Sequence, residues 1–150
     1  MNSEDLRITK LRIYLFNIIE TLNSDIQQIN ANMLSNEIDN YSLDKIPTST
    51  IVEQWIIGPA VKRDVYSFRS RVAYSQDVIN NLNNIGFFEK FERIIKENND
   101  NGILPDIDNI ESIECLNCGT LNHAETNTAE FNIQLQVTYR ENEDNTIISN

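Results

Sequence analysis

The stretch "AEFNIQLQVTYRE" alternates apolar and polar residues without a break. Phe131, Ile133, Leu135, Val137 and Tyr139 fall on one side, and Asn132, Gln134, Gln136, Thr138 and Arg140 on the other. A strict period of two is the signature of a strand with one buried and one wet face. It rules out a helix here and demands a sheet with a core on one side only. The stretch "VKRDVYSFRSRVAYS" repeats the pattern. Tyr66, Phe68, Val72 and Tyr74 share one face, with Ser70 among them, while Val61, Arg63, Val65, Arg69 and Arg71 share the other. Two long half-buried strands therefore need something apolar laid over one face.

Two helical segments supply it. Over about residues 5–22, Leu11, Leu15, Ile18 and Leu22 recur at helical spacing, widened by Ile8, Tyr14 and Ile19. Over about residues 76–98, Val78, Leu82, Ile85, Phe88, Phe91 and Ile95 do the same. Ser3 and Ser75 are placed to cap the two starts. Gly86 is a candidate interruption of the second helix. Shorter strand patterns lie near Ile29–Leu34, over "YSLDKIP", over "STIVEQWIIGPAV" up to the Gly58-Pro59 turn, and over "IESIECLN" (about 110–118), where Ile113 and Cys115 share a face. The last two strands span about 110–118 and 129–141, and residues 142–150 read as a frayed tail. The order predicts an α+β fold in one domain of 150 residues: an antiparallel or mixed sheet with two main helices on one face.

Composition narrows the function. With 12 Lys and Arg against 23 Asp and Glu, the formal net charge is −11. That balance opposes binding to a nucleic-acid backbone or an anionic membrane surface. No run approaches the ~18 apolar residues of a membrane span. The N-terminal stretch carries charges at helical intervals and no small-residue cleavage site, so a cytoplasm is the expected place of synthesis. Four glycines and no Gly-rich loop leave no phosphate or dinucleotide fingerprint, and no cofactor is expected.

Cys115, Cys118 and His123 form the one constellation with metal-ligand spacing. Structural zinc takes four ligands, and with no further Cys or His in the chain the fourth would have to be a carboxylate such as Glu125 or come from another subunit. A redox reading fares no better. A reactive Cys-x2-Cys places its first thiol at a helix N-terminus, whereas this one follows a strand and adjoins Glu114. "ENNDNGILPDID" fits a calcium-loop register through Glu97, Asn99, Asn101, Gly102 and Asp108, but Gly102 is more simply a helix stop. Trp55 fits a core or an interface better than a ligand platform. Arg63, Arg69 and Arg71, with Gln134, Gln136 and Arg140, mark polar strand faces suited to contact with another subunit. The residues themselves point away from an enzyme.

An ordered set of motifs adds a resemblance. Tyr41, Ser42, Leu43 and Pro47 form a Tyr-Ser-hydrophobic strand that ends in Pro. A hydrophobic segment and Gly turn follow at Ile51–Gly58. A long aromatic strand then precedes the helix core Gly86-Phe87-Phe88-Glu89-Lys90-Phe91. Leu104-Pro105 come after the helix, and the closing strand carries Gln134, Gln136 and Tyr139. From Tyr41 to Arg140 the chain resembles a family of small proteins from tail-assembly gene clusters of phages and prophages of Gram-positive bacteria, including clusters that make headless, phage-tail-like bacteriocins. The order of elements is similar to that of tail terminator, or tail completion, proteins. The resemblance implies a non-enzymatic α+β subunit forming a ring, usually a hexamer, that caps the head-proximal end of the tail. Its implied partners are further copies of itself, the tail tube and, in a contractile tail, the sheath. The resemblance also implies a bacterial cytoplasm and then the particle as location, and puts Gly119 and His123 in the connection between the last two strands. A head–tail joining or minor capsid component is the related alternative, and a small zinc- or thiol-dependent protein using Cys115, Cys118 and His123 is the alternative of another class.

Overall fold

The computed structural model describes residues 6–22, 29–31, 40–47, 51–53, 60–73, 78–117, 120–124 and 128–141. In chain order the elements are α1 (Arg7–Leu22), β1 (Ile29–Ala31), β2 (Asn40–Ile46), β3 (Ile51–Glu53), β4 (Ala60–Ala73), α2 (Val78–Asp100), β5 (Ile110–Cys115), β6 (Thr120–Ala124) and β7 (Thr128–Glu141). The fold is α+β, as the periodicities require.

The two strands with the cleanest alternation form the centre of the sheet. β4 and β7 pair antiparallel over their full lengths, from Ala60 opposite Glu141 to Ala73 opposite Thr128. β2 and β3 follow one another along the outer side of β4. β5 and β6 do the same along the outer side of β7. β1 adds a short parallel pairing outside β2, so the sheet is mixed and reads β1-β2-β4-β7-β5 across its width.

Both helices cover the same face. Leu11, Leu15, Ile18 and Ile19 of α1 and Phe88, Phe91 and Ile95 of α2 join one core with Tyr41, Leu43, Tyr66, Phe68, Ile113 and the inward row Phe131 to Tyr139. Aromatic rings tie the two layers together. Tyr41 stacks on Phe68 at 5.6 Å between centroids, and Phe68 stacks on Phe91 at 5.3 Å. Such pairs contribute about 0.5–1.5 kcal/mol beyond the area they bury.

The expected helix stop at Gly102 is met. α2 ends where Gly102 takes a left-handed φ of 73°. The Ile103 amide then donates to the Asn98 carbonyl at 2.8 Å and the Gly102 amide to the Asn99 carbonyl at 3.3 Å, a Schellman stop that satisfies the last carbonyls. Gly102 is thus a helix terminator, and "ENNDNGILPDID" runs from helix to turn with no second helix after it.

Other expectations need correction. Gly86 does not break α2, which runs through it and ends at Asp100 rather than about 98. A Cβ built on Gly86 meets nothing within 4 Å, so no close approach demands a glycine there. The strand drawn over about 110–118 stops at Cys115, because Asn117 turns its side-chain Oδ1 back onto the Gln134 amide at 3.0 Å in place of a backbone rung. His123 belongs not to a connection but to β6, opposite Glu130. A register shift between Leu121 and His123 spoils the simple alternation, which hides this strand in the sequence. Ser3, Trp55, Gly58, Pro59, Tyr74, Ser75, Cys118, Gly119, the tail 142–150 and the residues after Ala31 in the first strand pattern lie outside the described residues.

Candidate functional site

The sheet face away from the helices gathers the polar residues singled out above. β4 contributes Arg63, Arg69 and Arg71, and β7 contributes Gln134, Gln136 and Arg140. Strand pleating puts them in one layer: Arg69 lies opposite Ser42 on one side and Asn132 on the other, and Arg63 opposite Thr138.

At the middle of this face the charges satisfy each other. Arg69 reaches Asp44 across β2 at 2.7 Å and Glu130 of β7 at 3.4 Å. The short contact uses Nε, whose N–H does not point along the line to Asp44, so the link is charge attraction rather than a directed hydrogen bond. A second Arg69 nitrogen donates to Ser42 Oγ at 3.4 Å, and Ser42 donates to Asp44 at 2.9 Å. Ser67 donates to Asn132 beside them. Arg69 is about a quarter exposed, so this network clamps β2, β4 and β7 together on the side the helices leave bare. Arg71 is buried, while Arg63 and Arg140 are exposed, and Arg140 pairs with Glu111 of β5. Gln134 and Gln136 are half-buried. Of the six, Arg63 and Arg140 stand furthest into solvent.

A second polar cluster matches no catalytic or metal-binding motif. Asp64 sits on the inward face of β4 with no exposed surface. Its carboxylate accepts from Arg7 Nε at 2.7 Å, from Tyr66 at 3.3 Å and from Tyr139 at 3.3 Å, with Lys45 Nζ at 3.7 Å. The Arg7 guanidinium also lies 4.4 Å from the centre of the Tyr139 ring. Burial pushes the Tyr66 hydroxyl well above its ordinary range, and the adjacent Asp64 charge adds to that. For Arg7, burial acts downward, but the Asp64 hydrogen bond and charge outweigh it and raise the value. The signal was present in "RDVYSF": a period of two puts Asp64 in the same row as Tyr66 and Phe68, so an inward carboxylate had to find partners. With four donors around it and α1, β2, β4 and β7 tied through it, the cluster anchors the first turn of α1 to the sheet.

Cys115 is half-buried against the core beside Ile113 and is in no disulfide. Cys118 and the side chain of His123 lie outside the described residues. Among the described residues no group of three His, Cys, Asp or Glu side chains is placed to hold a metal ion.

A cleft of about 530 Å³ runs between the C-terminal half of α2 and β5. Glu92, Asp100 and Glu114 make its rim acidic against Lys96, and Ile95 and Ile113 form its apolar floor. Asn99 bridges it, accepting from the Ile113 amide at 2.9 Å through its side-chain Oδ1. No described helix is long and apolar enough to cross a membrane. No family model matches the chain, and no curated protein matches it either.

Proposed function

We propose that this protein is a structural subunit of a phage tail or phage-tail-like particle, a terminator that assembles as a ring, usually a hexamer, on the head-proximal end of the tube. One observation carries the reading. Part of the residue set behind the resemblance lies in the packed core, while Pro47, Glu89 and Lys90 of the same set are exposed. Tyr41, Phe88, Phe91, Pro105 and Tyr139 are all buried, and Gln134 and Gln136 lie on the opposite face of the same sheet. Burial of the aromatic part of the motif set, with a polar row on the opposite face, supports this reading.

The physical demands of the role agree with the rest of the molecule. A ring subunit needs two different surfaces that join copy to copy by a rotation that closes. It needs no catalytic centre. A chain with a formal charge of −11 also avoids the DNA that passes through a tail lumen. Tube and, in contractile tails, sheath subunits are the further partners. No cofactor enters this reading.

The test is direct. Antibody against the purified protein, applied to tail particles from the producing bacterium, should label one end, and negative-stain images of the pure protein should show rings. Label on capsid vertices would instead favour a head–tail joining role. A protein that stays monomeric at high concentration and labels no particle would overturn the proposal.

A further inference from the structure

Across its width the sheet ends on β1 and β5, each paired on one side only, as are the short strands β3 and β6 beside β4 and β7. Among the described residues no strand pairs with the outer side of β1 or of β5. Open edges are templates for another strand, and proteins commonly guard them. Here each terminal strand is held by one side chain from the helix layer. The Ile113 amide of β5 donates to Asn99 of α2 at 2.9 Å rather than to β7. The Ile29 carbonyl of β1 accepts from Arg12 Nε of α1 at 2.8 Å.

Strand direction then decides how two copies could share a sheet. β4 runs antiparallel to both β2 and β7. β1 follows β2, and β5 opposes β7. β1 and β5 therefore point in opposite directions. A second copy placed so that the sheet continues, helices on the same side, sets its β1 antiparallel to the first copy's β5, the more stable type of ladder. Charge favours this over β5 meeting β5. The β5 cleft carries Glu92, Asp100 and Glu114 against the single Lys96, so two such clefts repel. β1, with the sequence Ile-Asn-Ala, brings no charge.

We infer that β5 of one copy and β1 of the next form the joint between subunits, with Asn99 as the plug that occupies the β5 edge until the neighbouring strand replaces it. The contact is head to tail, so each copy offers one β1 and one β5, and successive contacts close into a ring. The inference rests on the ring reading and names its joint.

Hydrogen–deuterium exchange, run on the oligomer and on dilute monomer separated by native mass spectrometry, tests it. The amides of Ile110–Cys115 and of Ile29–Ala31 should gain protection on assembly. Asn99→Ala, which strips the plug, should tighten assembly by roughly tenfold, the effect of about one hydrogen bond no longer in competition. Asn99→Asp, which can still accept from the Ile113 amide, should not. An oligomer whose β1 and β5 amides exchange as in the monomer overturns the joint and leaves the ring reading standing. Protection of β5 alone shows self-pairing and also overturns it. Monomer at every concentration, for wild type and Asn99→Ala alike, overturns both.

Discussion

Asp64 is the most exacting place to test how the core is held. The perturbation is a double-mutant cycle, Arg7→Met with Asp64→Leu. In Arg7→Met the carboxylate stays fully buried, keeping the two tyrosine hydroxyls at 3.3 Å and Lys45 at 3.7 Å. Removing one partner of a buried pair costs about 3–5 kcal/mol, and the remaining donors put this case near 3 kcal/mol. In Asp64→Leu the cations suffer less, because the Arg7 and Lys45 side chains are 32% and 46% exposed and can turn to water. The hydroxyls of Tyr66 and Tyr139, in residues only 1% and 3% exposed, cannot. Two stranded hydroxyls at about 1 kcal/mol each set a cost of roughly 2–3 kcal/mol. The double variant carries only that second cost, about 2 kcal/mol, since no charge is left in the interior. The singles therefore sum to about 5–6 kcal/mol, and the coupling is about 3 kcal/mol. Urea denaturation of the four proteins measures it, provided the slopes match. In thermal melts each kcal/mol should move the midpoint by about 2–4 °C for a chain of this size. If the double variant loses the sum of the singles within about 0.5 kcal/mol, the cluster is not an anchor and the reasoning fails.

Two further outcomes follow from the same geometry. Burial raises the Tyr66 and Tyr14 hydroxyls above their ordinary value of 10.0, so the folded state holds protons that the unfolded chain releases; that stability is complete below pH 10.0 and declines as pH rises above it. Denaturation midpoints across alkaline pH should show the decline, and Tyr66→Phe should shrink it; an unchanged slope would refute the assignment. Gly102→Ala, at φ 73° with open space around the Cβ, should cost about 1 kcal/mol through backbone strain alone, read as a shift in urea midpoint without a change in slope.

The site was legible in the sequence to the extent that local patterns decide it. The row from Phe131 to Tyr139, the outward set Arg63, Arg69 and Arg71, and the stop at Gly102 each follow from the chemistry of a few neighbouring residues. The partners of those residues do not. Asp44 and Glu130 lie 25 and 61 positions from Arg69, and Arg7 lies 57 from Asp64, separations across which no pattern in one chain is visible. The calcium register failed for the opposite reason: Asn99 has the right residue type, but its Oδ1 is spent on the Ile113 amide of a strand 14 positions on.

Alternation and helical spacing by themselves determined that this chain makes half-buried strands covered by two helices, since burying apolar faces leaves no other use for those periods. They determined the inward and outward rows of β4 and β7, because a pleat admits only two faces. Which strands lie side by side was decided only in three dimensions. There β4 met β7 across the whole sheet, β5 and β6 broke in two along one edge, and the order left β1 and β5 at its ends. Pairing depends on the summed complementarity of entire faces, and the energy of any one cross-strand pair, about 0.2–1 kcal/mol, is too small to announce itself in the sequence.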